Sequence, residues 1–342
     1  MPMNKWYEQG GEQEDVVIST RIRLARSLPG YPYPQRMNAA GRRQIEQMVF
    51  EAATDENTAV GHQFAYQSME EIARMEGLSL AERRLVRPDF PASRQGGLLF
   101  TQDEAVSLVV NDEDHLRIQV FHAGLDLENA YAEADRMDTI LDKALHFAFD
   151  TKLGYLTQDP QNLGTGMRAS LLLHLPALHE NGSLGRIAAG LAKLGLSLEE
   201  EPFDTEQESE GTARYLLSNR LTLGLSEEDA LRNLKSIAQQ LLVQERTARL
   251  TLAEKLEVQD AVSRALGVLQ NARMISNQEM ASLLYSVRFG VATGLLSGVA
   301  YEKLDALLME LQPATLTLAC GRRLTQSQRE SLRAEIIHRV LV

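Results

Sequence analysis

Ile18-Ser19-Thr20-Arg21-Ile22-Arg23-Leu24-Ala25-Arg26 reads as an extended strand. In that conformation Arg21 and Arg23 point to one face, while Ile18, Ile22 and Leu24 point to the other. One face then joins an apolar core and the other carries two guanidinium groups two residues apart, a fork suited to phosphate oxygens. Two solvated surface arginines are the plainer alternative.

Working outward, Asn38 precedes a run of helical spacing to about Ala53 and is a plausible N-cap. Pro88 to Gly97 reads as loop. Leu98-Leu99-Phe100 and Val106 to Val110 are strands split by the Gln102-Asp103-Glu104 turn, and His115 to Phe121 alternates, with Leu116, Ile118 and Val120 on one face. Leu125 to Phe149 is expected to form one amphipathic helix. Gly154 to Thr157 is a short strand, and Asp159 to Gly166 a loop entering a helix near Met167. Ser226 to about Leu269 reads helical throughout, followed by helices over Ser276–Leu296, Tyr301–Leu311 and Thr325–Val342. The change from mixed to all-helical sequence places a boundary between residues 1–255 and 256–342.

Two further segments carry chemistry. Asn111-Asp112-Glu113-Asp114-His115-Leu116-Arg117 sets three acids at a strand end, where a rigid frame can present a carboxylate; a solvated turn is the alternative. Asn162-Leu163-Gly164-Thr165-Gly166-Met167-Arg168-Ala169-Ser170 invites a phosphate-loop reading, but it lacks the Gly-Lys-Ser/Thr ending of a P-loop and the spacing of a dinucleotide fingerprint. At the start of a helix Arg168 would oppose the dipole, which hints at another use. The seven histidines and one cysteine are scattered without ligand spacing, so no protein metal site is expected.

Composition narrows the class. The chain has 342 residues, 44% hydrophobic and 24% charged, a globular balance. The formal net charge of −12 argues against a general nucleic-acid binder. No apolar run approaches the roughly 20 residues of a membrane span, and the polar Met1–Asp15 offers no signal-peptide segment. Cys320 is the single cysteine, which excludes an internal disulfide and suits a cytoplasmic protein.

Together, in this order and spacing, Ser19–Arg23, Asn111–Arg117 and Asn162–Arg168 resemble the phosphagen kinases. Gly154-Tyr155-Leu156-Thr157, Arg168-Ala169-Ser170, His174-Leu175-Pro176-Ala177-Leu178, Gln244-Glu245-Arg246 and Gly267-Val268-Leu269 narrow the likeness to the bacterial protein arginine kinases. The resemblance covers nearly the whole chain. It implies an α+β fold: a catalytic domain with a large antiparallel sheet flanked by helices, then an all-α domain for dimerisation and phosphoarginine binding.

The resemblance also implies ATP as phosphoryl donor, with Mg²⁺ carried on the nucleotide. Nucleotide contacts would come from Ser19, Thr20, Arg21, Ile22, Arg23, Arg84, Arg117, Arg168, Ala169, Ser170, Leu171 and Leu172. Glu113 would orient the substrate guanidinium. Arg329-Glu330-Ser331-Leu332-Arg333-Ala334 resembles the branch's phosphoarginine motif, with Arg329 and Arg333 four apart on a helix and able to clamp a phosphate. Implied partners are arginine-bearing protein substrates, a zinc-finger activator, the ClpC unfoldase, a transcriptional repressor and a second copy of the chain.

Three departures stand out. Asp159 replaces the family's reactive cysteine and keeps its negative charge. Arg84 replaces a histidine near the adenine. Glu199 to Glu210 holds seven acids and no arginine where the family has an Arg-Gly-rich loop ending in a catalytic glutamate; Glu208 or Glu210 would stand in for that carboxylate, and Arg214 or Arg220 for the arginine. The leading expectation is an ATP-dependent protein arginine kinase that marks proteins for Clp-type degradation or stress regulation, its activity weakened by Asp159 and the acidic loop. The alternatives are a degenerate homologue serving as a phosphoarginine-binding adaptor, and a purely structural dimer subunit.

Overall fold

Eight strands build one antiparallel sheet in the order β2-β3-β4-β5-β1-β8-β10-β9. They are β1 (Val17–Arg26), β2 (Phe64–Ser68), β3 (Gly97–Thr101), β4 (Val106–Val110), β5 (Leu116–Ala123), β8 (Met167–His174), β9 (Leu196–Glu200) and β10 (Arg214–Asn219), with β6 (Phe149–Asp150) and β7 (Gly154–Tyr155) forming a small separate ribbon. The structure, a computed structural model, describes residues 4–58, 60–61, 63–201 and 212–342. The helices are α1 (Ala39–Ala53), α2 (Arg74–Glu82), α3 (Leu127–Leu145), α4 (Pro176–Glu180), α5 (Leu184–Ala192), α6 (Glu227–Ala253), α7 (Leu256–Asn271), α8 (Asn277–Ala292), α9 (Tyr301–Glu310), α10 (Pro313–Ala319) and α11 (Gln326–Leu341).

Alternation divides the sheet into two faces. Ile22 and Leu24 of β1, Leu116, Ile118 and Val120 of β5, and Met167, Ala169 and Leu171 of β8 enter the main core, packed with α1, α3 and α6. Asn38 caps α1 as read from the sequence, its side-chain oxygen accepting the Gly41 N–H at 2.8 Å. Arg26, an even-numbered position of β1, belongs to this apolar face. Its Nε and Nη2 donate to the two oxygens of Asp138 on α3 at 2.8 and 3.0 Å, and the guanidinium lies 3.5 Å from the Tyr155 ring centre.

Several expectations need correction. Met167 opens a central strand, not a helix: a short apolar run buried on both faces carries no helical period. The dipole reading of Arg168 falls with it. The helix starting near Leu125 ends at Leu145, because His146 adopts a left-handed conformation (φ 51°) and the chain turns into β6. Ile18 does not share the face of Ile22 and Leu24. A register shift between Val17 and Ser19 turns it to the opposite face, where it packs with Leu172 against the C-terminal helices. The helical stretch from Ser226 comprises two helices, α6 and α7, with the break between Ala253 and Leu256 at the expected boundary, and α10 is a helix beyond those expected.

Gly164-Thr165-Gly166 serves close packing. At Gly164 (φ 105°) a Cβ would lie 2.1 Å from the Thr222 carbonyl oxygen, and at Gly166 (φ 62°) 2.6 Å from Arg26 Nη1.

The C-terminal helices form their own core around Leu269, Met280, Leu284, Leu304 and Ile337 and are tied to the sheet by buried charges. Arg288, fully buried, pairs with Asp305 at 2.6 Å and donates to the Glu14 carbonyl. Glu245 accepts the Ala177 and Leu178 N–H groups at the start of α4, and Arg249 links Glu245 to the Asp15 and His174 carbonyls. Thus Gln244-Glu245-Arg246 and His174–Leu178 meet in space. Glu82 at the end of α2 likewise accepts the Ala314 and Thr315 N–H groups of α10.

Removing one member of a buried pair leaves an uncompensated charge. Asp138→Ala is expected to cost about 3–5 kcal/mol by stranding Arg26. Urea unfolding checks this; a loss under about 1 kcal/mol would place the pair among exposed ones.

Candidate active site

The second face of the sheet carries the arginines. Arg23 of β1 is register partner of Arg168 on β8 and of Gln119 on β5, and Arg21 is partner of Ser170 and Phe121. Arg117 stands opposite Ala25, and Arg214 of β10 opposite His174. Like charges directly across an antiparallel pair are destabilising. Burial first, then the neighbouring Arg21, Arg117 and Arg168, lowers the pKa of Arg23 well below the usual guanidinium range. Arg21 is lowered to about 10, chiefly by burial, with Glu201 opposing and Arg84, Arg117 and Arg168 adding to the shift. Arg23, Arg117 and Arg168 each keep a buried Nε without a hydrogen-bond partner among the described residues. Guanidinium groups so placed fit a multiply charged anion, and the residues present therefore suit a nucleotide polyphosphate.

A cavity of about 610 Å³ lies over this face. Arg21, Arg23, Arg84, Arg117 and Arg214 wall its sheet side, and Met75, Tyr285, Leu308 and Pro313 roof it from α2 and the C-terminal helices. Ser19 and Leu172 also line it, as does Arg329. Ile22, Ala169 and Leu171 turn into the main core on the other face, and Thr20 is held there by its hydroxyl, which donates to the Gly124 carbonyl at 2.7 Å. These residues set the strand positions rather than offer side chains to the cavity. Ser170 receives the Arg21 Nε at 3.3 Å.

The acidic stretch divides in two. Glu199 and Glu200 are exposed on β9, whereas Glu201 turns into the arginine cluster, 2.7 Å from Arg84 Nη2 and 3.8 Å from Arg214 Nη2. Burial alone would raise its pKa, but Arg84, Arg214, Arg21 and Arg23 hold it down at about 2. Arg84 is aimed there by a left-handed backbone (φ 65°) just past α2, and its carbonyl accepts the Gln119 amide at 2.9 Å. Of the two proposed substitute arginines, Arg214 is buried in this cluster and Arg220 is exposed. Glu208 and Glu210 lie outside the described residues.

Each acid of the turn Asp112-Glu113-Asp114 has a separate environment. Asp112 bridges Arg117 and Arg87, both at 2.8 Å. Glu113, 42% exposed at its side chain, accepts from Arg87 Nη1 at 2.5 Å. Asp114 is buried, which pushes its pKa up to about 6, although it accepts the Gln158 N–H at 2.7 Å and the Ser27 hydroxyl. Asp114 thereby ties the acidic turn to the loop bearing Asp159. The Asp159 carboxylate accepts the Gln161 N–H at 2.9 Å and caps a short 3₁₀ turn over Pro160–Asn162.

The C-terminal motif is arranged differently from a paired clamp. Arg333 is buried, donating to the Leu311 and Ile275 carbonyls at 3.0 and 2.9 Å, and Ala334 lies in the helical core. Arg329 donates to the Leu324 carbonyl at 3.0 Å and reaches the cavity, while Glu330 accepts from Gln326. Among the described residues, no cluster of three or more His, Cys, Asp or Glu could hold a metal ion. Glu201, Arg87 and the roof residue Tyr285 escaped the sequence reading.

A carboxylate whose folded pKa is depressed adds stability above its ordinary pKa and loses it as pH falls through the folded value. Glu201 therefore stabilises the fold above pH 4.5, and that contribution is lost between 4.5 and about 2. Glu201→Gln should flatten this part of the stability–pH profile and enlarge the thermal shift produced by tripolyphosphate. An unchanged acid profile would mean that the ion pairs carry no net stability.

Comparison with known proteins agrees with this geometry. Residues 44–248 match the family model of the ATP:guanido phosphotransferase C-terminal catalytic domain, and residues 255–342 that of the protein-arginine kinase McsB C-terminal domain. The chain is 39% identical to a protein-arginine kinase of Moorella thermoacetica, covering 99% of this chain and 97% of that protein. It is 36% identical to one of Halothermothrix orenii, covering 98% and 95%. Among solved structures, a lombricine kinase superposes with a TM-score of 0.60 at 21% identity, covering 72% of this chain and 70% of its own. A duplicated taurocyamine kinase from Schistosoma mansoni gives 0.61 at 22%, covering 82% and 42%. The sheet and its flanking helices are thus of the phosphagen kinase fold, and the chain belongs to the protein-arginine kinase family.

Proposed function

We propose that this chain transfers the γ-phosphoryl group of ATP to arginine side chains of proteins. The observation that carries the reading is the arginine-lined sheet face beside the Asp112-Glu113 turn, in a chain that matches protein-arginine kinases over nearly its full length. Phosphoryl transfer needs positioning and charge neutralisation more than covalent help from the protein. Arg21, Arg23, Arg117 and Arg168 supply fixed positive charge for the phosphates, and Mg²⁺, which travels with the nucleotide, neutralises the β- and γ-oxygens.

A protein guanidinium is a cation with a pKa above about 12 and a poor nucleophile. Glu113 aligns one terminal nitrogen on the γ-phosphorus. The N–P bond forms as the bond from phosphorus to the bridging oxygen breaks, that electron pair leaves with ADP, and Glu113 takes the nitrogen's proton late. Asp159, on the loop that Asp114 holds to the same turn, adds negative charge near the guanidinium and partly compensates for the absent thiolate. The chain divides functionally into a catalytic part, 1–255, and a helical part, 256–342, that serves dimerisation and, through Arg329, phosphoarginine recognition. A cytoplasmic location, marking of substrates for Clp-type degradation, and the zinc-finger activator, ClpC and repressor as partners are carried over from the family resemblance, and the geometry adds nothing to them. The adaptor alternative depends on a two-arginine clamp, and the carbonyl contacts of Arg333 weigh against it.

Incubation of an arginine-rich protein with Mg-ATP, read by mass spectrometry that preserves acid-labile phosphoarginine, is expected to show transfer. Glu113→Ala should lower it by roughly 10²–10⁴-fold, as loss of a general base does, with nucleotide affinity retained. Asp159→Ala should depress the rate more than Asp159→Cys. Absence of phosphoarginine with the wild-type chain, alongside retained phosphoarginine binding, would replace the kinase reading with the adaptor.

A further inference from the structure

Arg87 is the nearest guanidinium to the carboxylate that the mechanism assigns to the substrate's guanidinium. It follows α2 in the loop before β3 and lines the cavity. Its Nη1 donates to Glu113 Oε1 at 2.5 Å and its Nη2 to Asp112 Oδ1 at 2.8 Å, with Asp89 at 3.5 Å on the outer side. The other oxygen of Asp112 is 2.8 Å from Arg117, one of the phosphate-facing arginines. A guanidinium of the protein's own therefore sits on Glu113, one carboxylate away from the phosphate-facing side. It forms the two-pronged contact that a substrate arginine would need.

We infer that Arg87 is an internal substrate mimic that occupies the guanidinium subsite and sets the enzyme's affinity for arginine-bearing proteins. This rests on the kinase reading of Glu113. The loop backbone is anchored, since the Arg87 carbonyl accepts the Phe90 N–H at 3.1 Å, while the side chain is 36% exposed. Glu113 is 42% exposed, so its pair with Arg87 holds weakly, and the buried Asp112 has Arg117 as a second partner; an incoming arginine can therefore displace the Arg87 side chain without moving the loop. Asp112 keeps Arg117 when Arg87 swings out, so the phosphate-facing arginines retain their support. The Arg87 Nε is buried without a hydrogen-bond partner among the described residues, so that end of the group adds nothing to hold it in place. The competition raises the affinity that a substrate arginine needs in order to enter the subsite.

The apparent affinity of a site blocked part of the time falls by the fraction that is open. Arg87→Ala is therefore expected to lower KM for a peptide bearing a single arginine by about fivefold, with kcat within about twofold of wild type. Arg87→Lys, which keeps the charge but not the fork, should fall between the two. Calorimetric binding of the same peptide, with a non-hydrolysable ATP analogue present, should tighten by the same factor. The gain should vanish when Glu113→Ala is added. An unchanged or raised KM and Kd in Arg87→Ala would overturn the inference, as would loss of turnover with nucleotide binding intact, which would make Arg87 a support for Glu113. If the wild-type chain phosphorylates no arginine, the kinase reading fails, and the binding experiment still decides whether Arg87 blocks the subsite.

Discussion

Repulsion among like charges governs this structure. Two unit charges about 5 Å apart at an effective dielectric near 20 repel by about 3 kcal/mol, against a total fold stability of roughly 5–15 kcal/mol. Packing Arg23 opposite Arg168, with Arg21 and Arg117 on the same face, is tolerable only because the scaffold cannot relax them apart. The register of β1 between β5 and β8 fixes their spacing, and that register is enforced from beneath. Ile22, Leu24, Ile118, Ala169 and Leu171 all lie in the main core, and a slip of one residue would bury the arginines there instead.

The C-terminal helices complete the same arrangement from above. Their core reaches the sheet through Ile18 and Leu172, and the bulge that turns Ile18 outward makes that contact possible. Around it sit charges that cannot be neutralised by water: Arg288 with Asp305, and Arg249 with Glu245. Asp305 illustrates the cost, since burial raises its pKa to about 6 even beside Arg288. Such pairs add little net stability compared with apolar packing, but they penalise any other docking geometry. The cavity over the arginines owes its roof to this docking.

Much of this was legible in the sequence, and the failures are instructive. The alternation in Ile22-Arg23-Leu24 and in Leu116 to Val120 predicts the strands because each has one wet and one dry face. The segment from Met167 is not legible as a strand, because a strand buried on both sides shows an apolar run without period. Ile18 was misplaced because a bulge leaves no mark in the order of residue types. Arg87 and Glu201 were missed for a different reason. Their partners lie far along the chain, Asp112 and Glu113 for one and Arg84 for the other, so nothing local distinguishes them from solvated charges. Arg333 shows the converse: helical spacing places it on one face with Arg329, but spacing says nothing about the carbonyls of Leu311 and Ile275 that receive it.

The acidic stretch that departs most from the family takes on a different sense in three dimensions. Glu199 and Glu200 are spent on the solvent side of an edge strand, where charge discourages pairing with another sheet. Glu201 alone among these three enters the cluster, and it carries the charge of the ligand the arginines would bind. Arg87 does the same with the opposite sign on Glu113. On the proposed assignment of the site, both halves hold side chains of the reactants' chemistry, an anion among the arginines and a guanidinium on the carboxylates. Each reactant must then exchange with a group of like chemistry rather than enter a site of bare charge. Glu201 offsets the repulsion among Arg84, Arg214, Arg21 and Arg23, and Arg87 offsets that between Asp112 and Glu113.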